Sequence, residues 1–310
     1  DVVLTITSDD TGEATVPASV TFTAADWDTP QTVTVTGVDD SIIDGTVTST
    51  ITVAVDDANS DDDFDGLDDQ TVSVDTLDDD VAGFTIEETD GSTEVDESGS
   101  TDIFTIVLDA QPTNDVVVLA TASNDETEAT VSGSITFTSE NWDTPQTVTV
   151  TGVDDDLVDG DQTYDITISI VDTISDDEFD GVADQSVSST TLDDDAPGFT
   201  IEETDAATEV DESGSTDIFT VVLDAQPTSD VVLTITSDDT GEATVPASVT
   251  FTPVNWDTAQ TVTVTGVDDD LVDGTITSTI TIAVDDANSD DGFDGLDDQT
   301  VSVDTLDDDV

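Results

Sequence analysis

The sequence contains no lysine, arginine or histidine, and no cysteine or methionine. Each absence removes a class of function. Without a basic side chain there is no electrostatic footprint for phosphates, so nucleic-acid binding is not expected. Attraction to an anionic membrane surface fails for the same reason. Without cysteine there is no disulfide, thiolate nucleophile or zinc–thiolate site. Without histidine and lysine, the commonest general base and any Schiff base are gone. No run of 18 apolar residues occurs, so no segment reads as a spanning helix.

What remains is acid and small apolar patterning. The 310 residues include 78 Asp plus Glu, for a net charge of -78, and 35% are hydrophobic. Two or three domains fit this length. Two carboxylates about 5 Å apart repel by about 0.8 kcal/mol even in bulk water, and no side chain here can neutralise them. Such acidity often marks disorder. Here, however, Val, Ile, Leu and Phe are patterned, and Trp recurs at fixed places. Dissolved cations are therefore expected to be part of the folded state.

Internal repetition dominates the chain. The segment DVVLTITSDDTGEATVPASVTFT begins at Asp1 and again at Asp230, with a looser copy from Asp115. Trp27, Trp142 and Trp256 lie 115 and 114 residues apart, and acidic triplets close each copy. The period divides the chain into residues 1–80, a partial repeat without its first two strands, and residues 81–195 and 196–310, two complete repeats. Residues 1–81 and 230–310 differ at ten positions, which hints at a two-repeat superperiod within a longer array. No signal peptide is visible, as in an internal or mature segment.

Each repeat reads as β. In repeat two, the strand candidates are residues 84–88, 102–108, 116–122, 129–131, 134–138, 146–153, 164–171 and 185–192. They are rich in Val, Ile, Thr and Phe, and several alternate with period two. In Thr147-Val148-Thr149-Val150-Thr151 the valines point inward and the threonines outward. Asp, Gly, Asn and Pro clusters separate the runs, and no helical stripe is present. Seven or eight short strands per repeat suggest an all-β fold of tandem antiparallel two-sheet, immunoglobulin-like sandwiches. Almost no linker separates them, so they should join end to end.

The acidic residues gather in three recurring places. The first is the turn after the TVTVTGV run, with Asp154, Asp155, Asp156, Asp159 and Asp161 in repeat two. Its counterparts are Asp39, Asp40 and Asp44 in repeat one and Asp268, Asp269, Asp270 and Asp273 in repeat three. The second is the closing triplet: Asp78, Asp79 and Asp80; Asp193, Asp194 and Asp195; Asp307, Asp308 and Asp309. The third precedes the second strand of each complete repeat, at Glu94, Asp96 and Glu97 and at Glu209, Asp211 and Glu212. Ca²⁺ takes six to eight oxygen ligands from flexible loops, whereas Mg²⁺ keeps its waters and strict octahedral geometry. Soft metals need sulfur or imidazole. The recurrence at loop positions favours calcium over a merely solvated acidic face.

These motifs together resemble a Calx-β domain, in the tandem form of large bacterial surface and adhesin proteins. The resemblance rests on VDESGSTDIFTIVL (95–108), SITFTSENWDTPQTVTVTGVDDDLVDGDQTYDITI (134–168) and LDDD (192–195), and covers nearly the whole repeat. It implies a Ca²⁺-binding β-sandwich with several ions per repeat, clustered near the next domain. The implied ligands in repeat two are Glu97, Asp154, Asp155, Asp159 and Asp193–Asp195, with a carbonyl from Leu157. In repeat three they are Glu212, Asp268, Asp269, Asp273 and Asp307–Asp309. Repeat one, without its glutamate, is left with Asp39, Asp40, Asp44 and Asp78–Asp80. Asp125 and Asp239 are weaker additions. The chain departs from the family at Gln162 and Ile276, where a glutamate is usual.

A separate loop follows D-x-D-x-D-G, the start of a calcium loop: Asp61, Asp63, Asp65, Gly66 and Asp69 in repeat one. Repeat two offers Asp176, Glu178, Asp180 and Asp184, and repeat three Asp290, Asp294 and Asp298. Val72, Val187 and Val301 stand where an EF-hand has its last glutamate. The plain alternative is an acidic hairpin whose Phe64, Phe179 or Phe293 covers the sandwich end. The repeated Trp is expected to close a core edge. Carboxylate pairs also serve glycoside hydrolysis, yet no single acid is singled out, so no enzyme is expected. The expected role is a structural segment of an extracellular, calcium-stabilised rod or filament at a cell surface. Its partners would be neighbouring repeats of the same or identical chains, as in a homopolymer or filament. Adhesion and cation sequestration are the alternatives.

Overall fold

The fold is described from a computed structural model, for residues 1–123, 127–204 and 207–309. It is all-β, built as tandem two-sheet sandwiches. Repeat one supplies β1 (Val2–Ser8), β2 (Ala14–Thr15), β3 (Ser19–Phe22), β4 (Thr36–Gly37), β5 (Val47–Val55) and β6 (Gln70–Thr76). Repeat two supplies β7 (Phe84–Glu88), β8 (Thr93–Asp96), β9 (Thr101–Leu108), β10 (Val116–Ala122), β11 (Ala129–Val131), β12 (Ser134–Phe137), β13 (Gln146–Gly152), β14 (Gln162–Ile170) and β15 (Gln185–Leu192). Repeat three reproduces these nine strands from Phe199–Glu203 to Gln299–Leu306.

In repeat two the sheets run β12-β10-β14-β15-β8 and β11-β13-β9-β7. Alternation decides which side chains meet between them. Val148 and Val150 of β13 are buried, as are Phe104 and Ile106 of β9 and Ile166 and Ile168 of β14. Full burial of such a side chain is worth about 1.5–3 kcal/mol, and each of the two cores holds sixteen buried Val, Ile, Leu or Phe. Phe179, from a short 3-10 turn, and Phe137 complete the core, and Phe293 and Phe251 do the same in repeat three. The Gln185 side-chain amide donates to the Phe84 carbonyl (2.6 Å), tying the last strand to the first.

Among the described residues, all the pairings between strands are antiparallel but two. The segment Thr93–Asp96 forms a strand that the period-two reading does not reveal, and it lies parallel to β15. Its counterpart Thr208–Asp211 pairs in parallel with Gln299–Leu306. Repeat one has only the sheet β3-β1-β5-β6 and the short pair β2-β4. The sequence QTVTVTG occurs at 31–37, 146–152 and 260–266, yet in repeat one only Thr36–Gly37 is strand. With no counterpart of β9 beside it, the same sequence pairs only at its end, where β2 reaches it. The Trp expectation needs a matching correction. Trp142 and Trp256 pack against their cores, but Trp27 is 72% exposed because the opposing sheet is absent there.

Candidate metal centres

The parallel strand β8 positions the first site. It carries the chain to Glu97, whose backbone N–H donates to the Leu192 carbonyl (3.2 Å). That bond sets Glu97 beside the start of the Asp193–Asp195 triplet. The approach is close: a Cβ on Gly152 would fall 1.9 Å from the Asp96 carbonyl oxygen, so only glycine fits there. In repeat three, Gly266 stands 2.1 Å from the Asp211 carbonyl by the same measure.

The acidic turn and the triplet then close on the glutamate. The Gly160 N–H donates to Asp193 Oδ2 (2.7 Å), the Asp195 N–H to Asp193 Oδ1 (2.8 Å), and the Leu157 N–H to Asp155 Oδ1 (2.7 Å). Glu97, Asp155 and Asp195 each bring one carboxylate oxygen within 4.8 Å of the others. In repeat three the same is true of Glu212, Asp269 and Asp309, and of Glu242, Asp269 and Asp273. Oxygens bound to one Ca²⁺ at about 2.4 Å lie at most about 5 Å apart, so these spacings suit a shared ion.

The glutamates are the unusual members. Glu97 is 1% exposed and Glu212 0% exposed. Glu97 Oε2, both carboxylate oxygens of Glu212, Asp159 Oδ1, Asp195 Oδ2 and Asp309 Oδ2 are buried with no hydrogen-bond partner. Burying an ionised carboxylate without a partner is costly. Burial, reinforced by Asp155, Asp193, Glu128 and Asp159, pushes the Glu97 carboxyl up to about 7. Burial and then Asp193, Asp156, Asp194 and Asp155 push Asp195 up to about 6. Glu212, Asp309 and Asp159 are raised in the same way, by burial first.

The sequence reading missed one contributor. Glu242 is buried, with Oε2 unpartnered, and joins Asp269 and Asp273. Glu128 in repeat two also has an unpartnered buried oxygen, and burial raises its carboxyl. Both lie in the loop assigned to Asp239 and Asp125. Asp239 itself is exposed and accepts from the Gly241 N–H (3.0 Å), while Asp125 lies outside the described residues. A signal was available: Glu13, Glu128 and Glu242 occupy one place before A-T-V in all three copies.

Other expected residues sit at the margin. Asp154, Asp194, Asp268 and Asp308 are exposed and belong to none of the three-carboxylate groups. Leu157 is half-buried, its N–H turned to Asp155. In repeat one, Asp39, Asp40, Asp44, Asp78, Asp79, Asp80 and Glu13 line one small acidic depression. There the Gly45 N–H donates to Asp78 Oδ2 (2.8 Å), and no counterpart of Glu97 is present.

In the D-x-D-x-D-G loop of repeats two and three, the first aspartate is committed to hydrogen bonds. Asp176 is buried, and its Oδ2 accepts from Thr113 Oγ1 (2.9 Å) and the Asn114 N–H (2.6 Å). Its Oδ1 caps the 3-10 turn through the Glu178 N–H (3.1 Å). Asp290 repeats the arrangement with Thr228, Ser229 and Gly292. These hydrogen bonds hold both carboxyls below the ordinary value against the opposing effect of burial. Glu178, Asp180, Asp184, Asp294 and Asp298 are exposed, as are Asp61, Asp63, Asp65 and Asp69. The geometry makes this aspartate a latch between loops, with little lone-pair capacity left for an ion.

No family model matches the sequence, and no curated protein matches it. Solved structures match at low similarity. The calcium binding domain CBD12 of CALX1.1 is 15% identical, with 64% of this chain and 80% of that chain covered and a TM-score of 0.28. Domains 4-9 of the surface layer protein SbsC are 18% identical, with 98% and 39% covered and a TM-score of 0.29. The titin domains z1z2 in complex with telethonin are 12% identical, with 76% and 100% covered and a TM-score of 0.33. The chain spans about two fifths of the surface-layer fragment. Likenesses at this level carry no argument about ligand or role. No helix among the described residues is long and apolar enough to cross a membrane.

Proposed function

We propose that the clusters around Glu97 and Glu212 hold Ca²⁺, and that the chain is a segment of an extracellular, calcium-stabilised rod. The observation that carries this reading is the pair of buried glutamates. Each has a carboxylate oxygen without a partner, faces other acids, and sits in a chain with no Lys, Arg or His. The positive charge must come from solution. An all-oxygen donor set on turns suits a hard, flexible ion, which favours Ca²⁺ over Mg²⁺ and over soft metals. Asp155, Asp159 and Asp195 would join Glu97, with Glu128 at the rim. Asp269, Asp273, Asp309 and Glu242 would join Glu212.

The role that follows is mechanical. Binding to the folded state alone adds RT ln(1 + [L]/Kd), about 2.7 kcal/mol per site at a hundredfold excess. Extracellular modules commonly bind Ca²⁺ with Kd of about 10⁻⁴–10⁻³ M, so the fold would tighten where calcium is abundant. Neighbouring repeats are the proposed partners. Small-angle scattering with calcium and with EDTA tests the reading. An elongated profile that shortens or loosens on chelation supports it. A profile and a melting temperature that are both indifferent to calcium would refute it.

A further inference from the structure

The acidic turns carry an apolar pair that a metal site does not require: Ile42-Ile43, Leu157-Val158 and Leu271-Val272. The first two pairs are seated on the following repeat. Ile43 is 7% exposed and belongs to the core of repeat two. Val158 packs against the core of repeat three, with its Cγ1 3.3 Å from where a Cβ on Gly292 would stand. Leu271 and Val272, which have no following repeat among the described residues, are 62% and 69% exposed.

The backbone takes part as well. Leu157 forms an isolated parallel bridge with Gln226, as Ile42 does with Gln111. The Gln226 N–H donates to the Asp156 carbonyl (2.6 Å), and the Val158 N–H donates to the Gln226 carbonyl (2.9 Å). The Gln226 side chain donates to the Pro253 carbonyl (3.0 Å), which braces the receiving loop. A parallel bridge uses the groups on either side of Leu157 and leaves its own N–H and C=O facing away from Gln226. That N–H reaches Asp155 Oδ1, which ties the bridged residue to the acidic turn. Seating Val158 thus fixes the three residues between Asp155 and Asp159, both in the acidic site.

We propose that this knob links docking of the next repeat to cation affinity: a seated Val158 prearranges the Asp155–Asp159 turn for its ion, and the ion holds Val158 seated. The inference rests on the calcium reading above and adds to it a coupling and the residues that carry it. In a polypeptide of these 310 residues, repeat three serves as the comparison, with the matching acids and an exposed knob. Its site should bind more weakly than that of repeat two. Reciprocity requires calcium to favour seating by the same factor by which seating favours calcium.

The test uses the full chain and the absence of natural cysteine. Val158→Cys keeps nearly the volume of valine and introduces a unique thiol, and Val272→Cys does the same on the exposed knob. Alkylation rates are measured in EDTA and in saturating Ca²⁺, with calcium binding followed by calorimetry. We expect calcium to slow alkylation of Val158→Cys about tenfold and to leave Val272→Cys within twofold. We also expect Val158→Ser to weaken one class of calcium sites about tenfold, and Val272→Ser to change none. Calcium binding with an unchanged alkylation rate at Val158→Cys would overturn the coupling alone. Absence of calcium binding by the wild type would overturn the calcium reading and the coupling together. Should Val158→Ser fail to fold, the alkylation pair decides on its own.

Discussion

Glu97 offers the sharpest test because, on the calcium reading, proton and calcium would compete for one buried carboxylate. Its carboxyl rises from 4.5 to about 7 in the calcium-free fold. A raised folded value means that the folded state binds the proton more tightly than the unfolded chain does. Stability is therefore lost as pH rises from 4.5 through about 7, and the full penalty stands above that. At about 1.4 kcal/mol for each pH unit, the rise corresponds to about 3 kcal/mol. The rim of the cluster is open to water, and screening there reduces the figure to about 1–2 kcal/mol. Glu97→Gln removes the titration. In EDTA the variant should match the wild type near pH 4.5 and exceed it by about 1–2 kcal/mol at pH 8. Calcium should reverse the order, because the variant loses most of a gain of about 2.7 kcal/mol at a hundredfold excess. The assay is urea unfolding in a Trp27→Phe, Trp256→Phe background. Trp142, packed on the core of repeat two, then reports that repeat alone. Parallel pH curves in EDTA, together with equal calcium gains, would refute the assignment of Glu97 as the buried ligand.

Gly152→Ala places a methyl against the Asp96 carbonyl. It should cost about 3 kcal/mol and weaken calcium binding in repeat two. Gly37→Ala meets nothing nearer than Thr76 Cγ2 at 3.9 Å and should be nearly neutral; equal effects in urea titrations would contradict the account of β8. Asp290→Ala strands the donors of Thr228, Ser229 and Gly292 and should cost about 1–3 kcal/mol. Because its carboxyl is depressed, this contribution is present above the ordinary value of 3.8 and is lost as pH falls. The calcium gain in Tm should survive Asp290→Ala, and its loss would make Asp290 a ligand after all.

Most strand positions are legible in the sequence because each strand is half-buried and alternates. Residues 84–88, 116–122, 129–131 and 185–192 are read to the residue. Thr93–Asp96 is not, because its partner is a parallel strand about a hundred residues away and no neighbouring hairpin marks it. QTVTVTG at 31–37 shows the converse limit: the pattern specifies a strand only where a partner strand exists. At the site, Glu97 was readable from the family pattern. Glu242 stands outside the aspartate-rich turn, and only its recurrence before A-T-V in all three copies marks it. Asp176 shows that a motif can be present and its carboxylate committed elsewhere, here to Thr113 and Asn114.

The closing triplet divides the same chemistry within three residues, and the division can be tested. Asp307 accepts N–H bonds on both oxygens, from Gly274 and Asp309 (2.8 Å each), and these bonds hold its carboxyl below the usual range. Asp309, two residues on, has a buried oxygen with no partner, and burial with Asp307 and Asp308 raises its carboxyl. The first aspartate therefore shapes the turn, and the third carries the unpartnered oxygen that the calcium reading assigns to the ion. Asp307→Asn keeps only one acceptor oxygen. It should lower stability with or without calcium above pH 3.8, and the difference should shrink as pH falls through the depressed folded value. Asp309→Asn keeps the shape and removes the charge. It should stabilise repeat three slightly in EDTA at neutral pH and abolish most of its calcium-dependent gain. Urea unfolding followed by Trp256 emission, in a Trp27→Phe, Trp142→Phe background, separates the two cases. If both variants behaved alike in EDTA, the triplet would be a uniform acidic tail and not a turn with one ligand built into it.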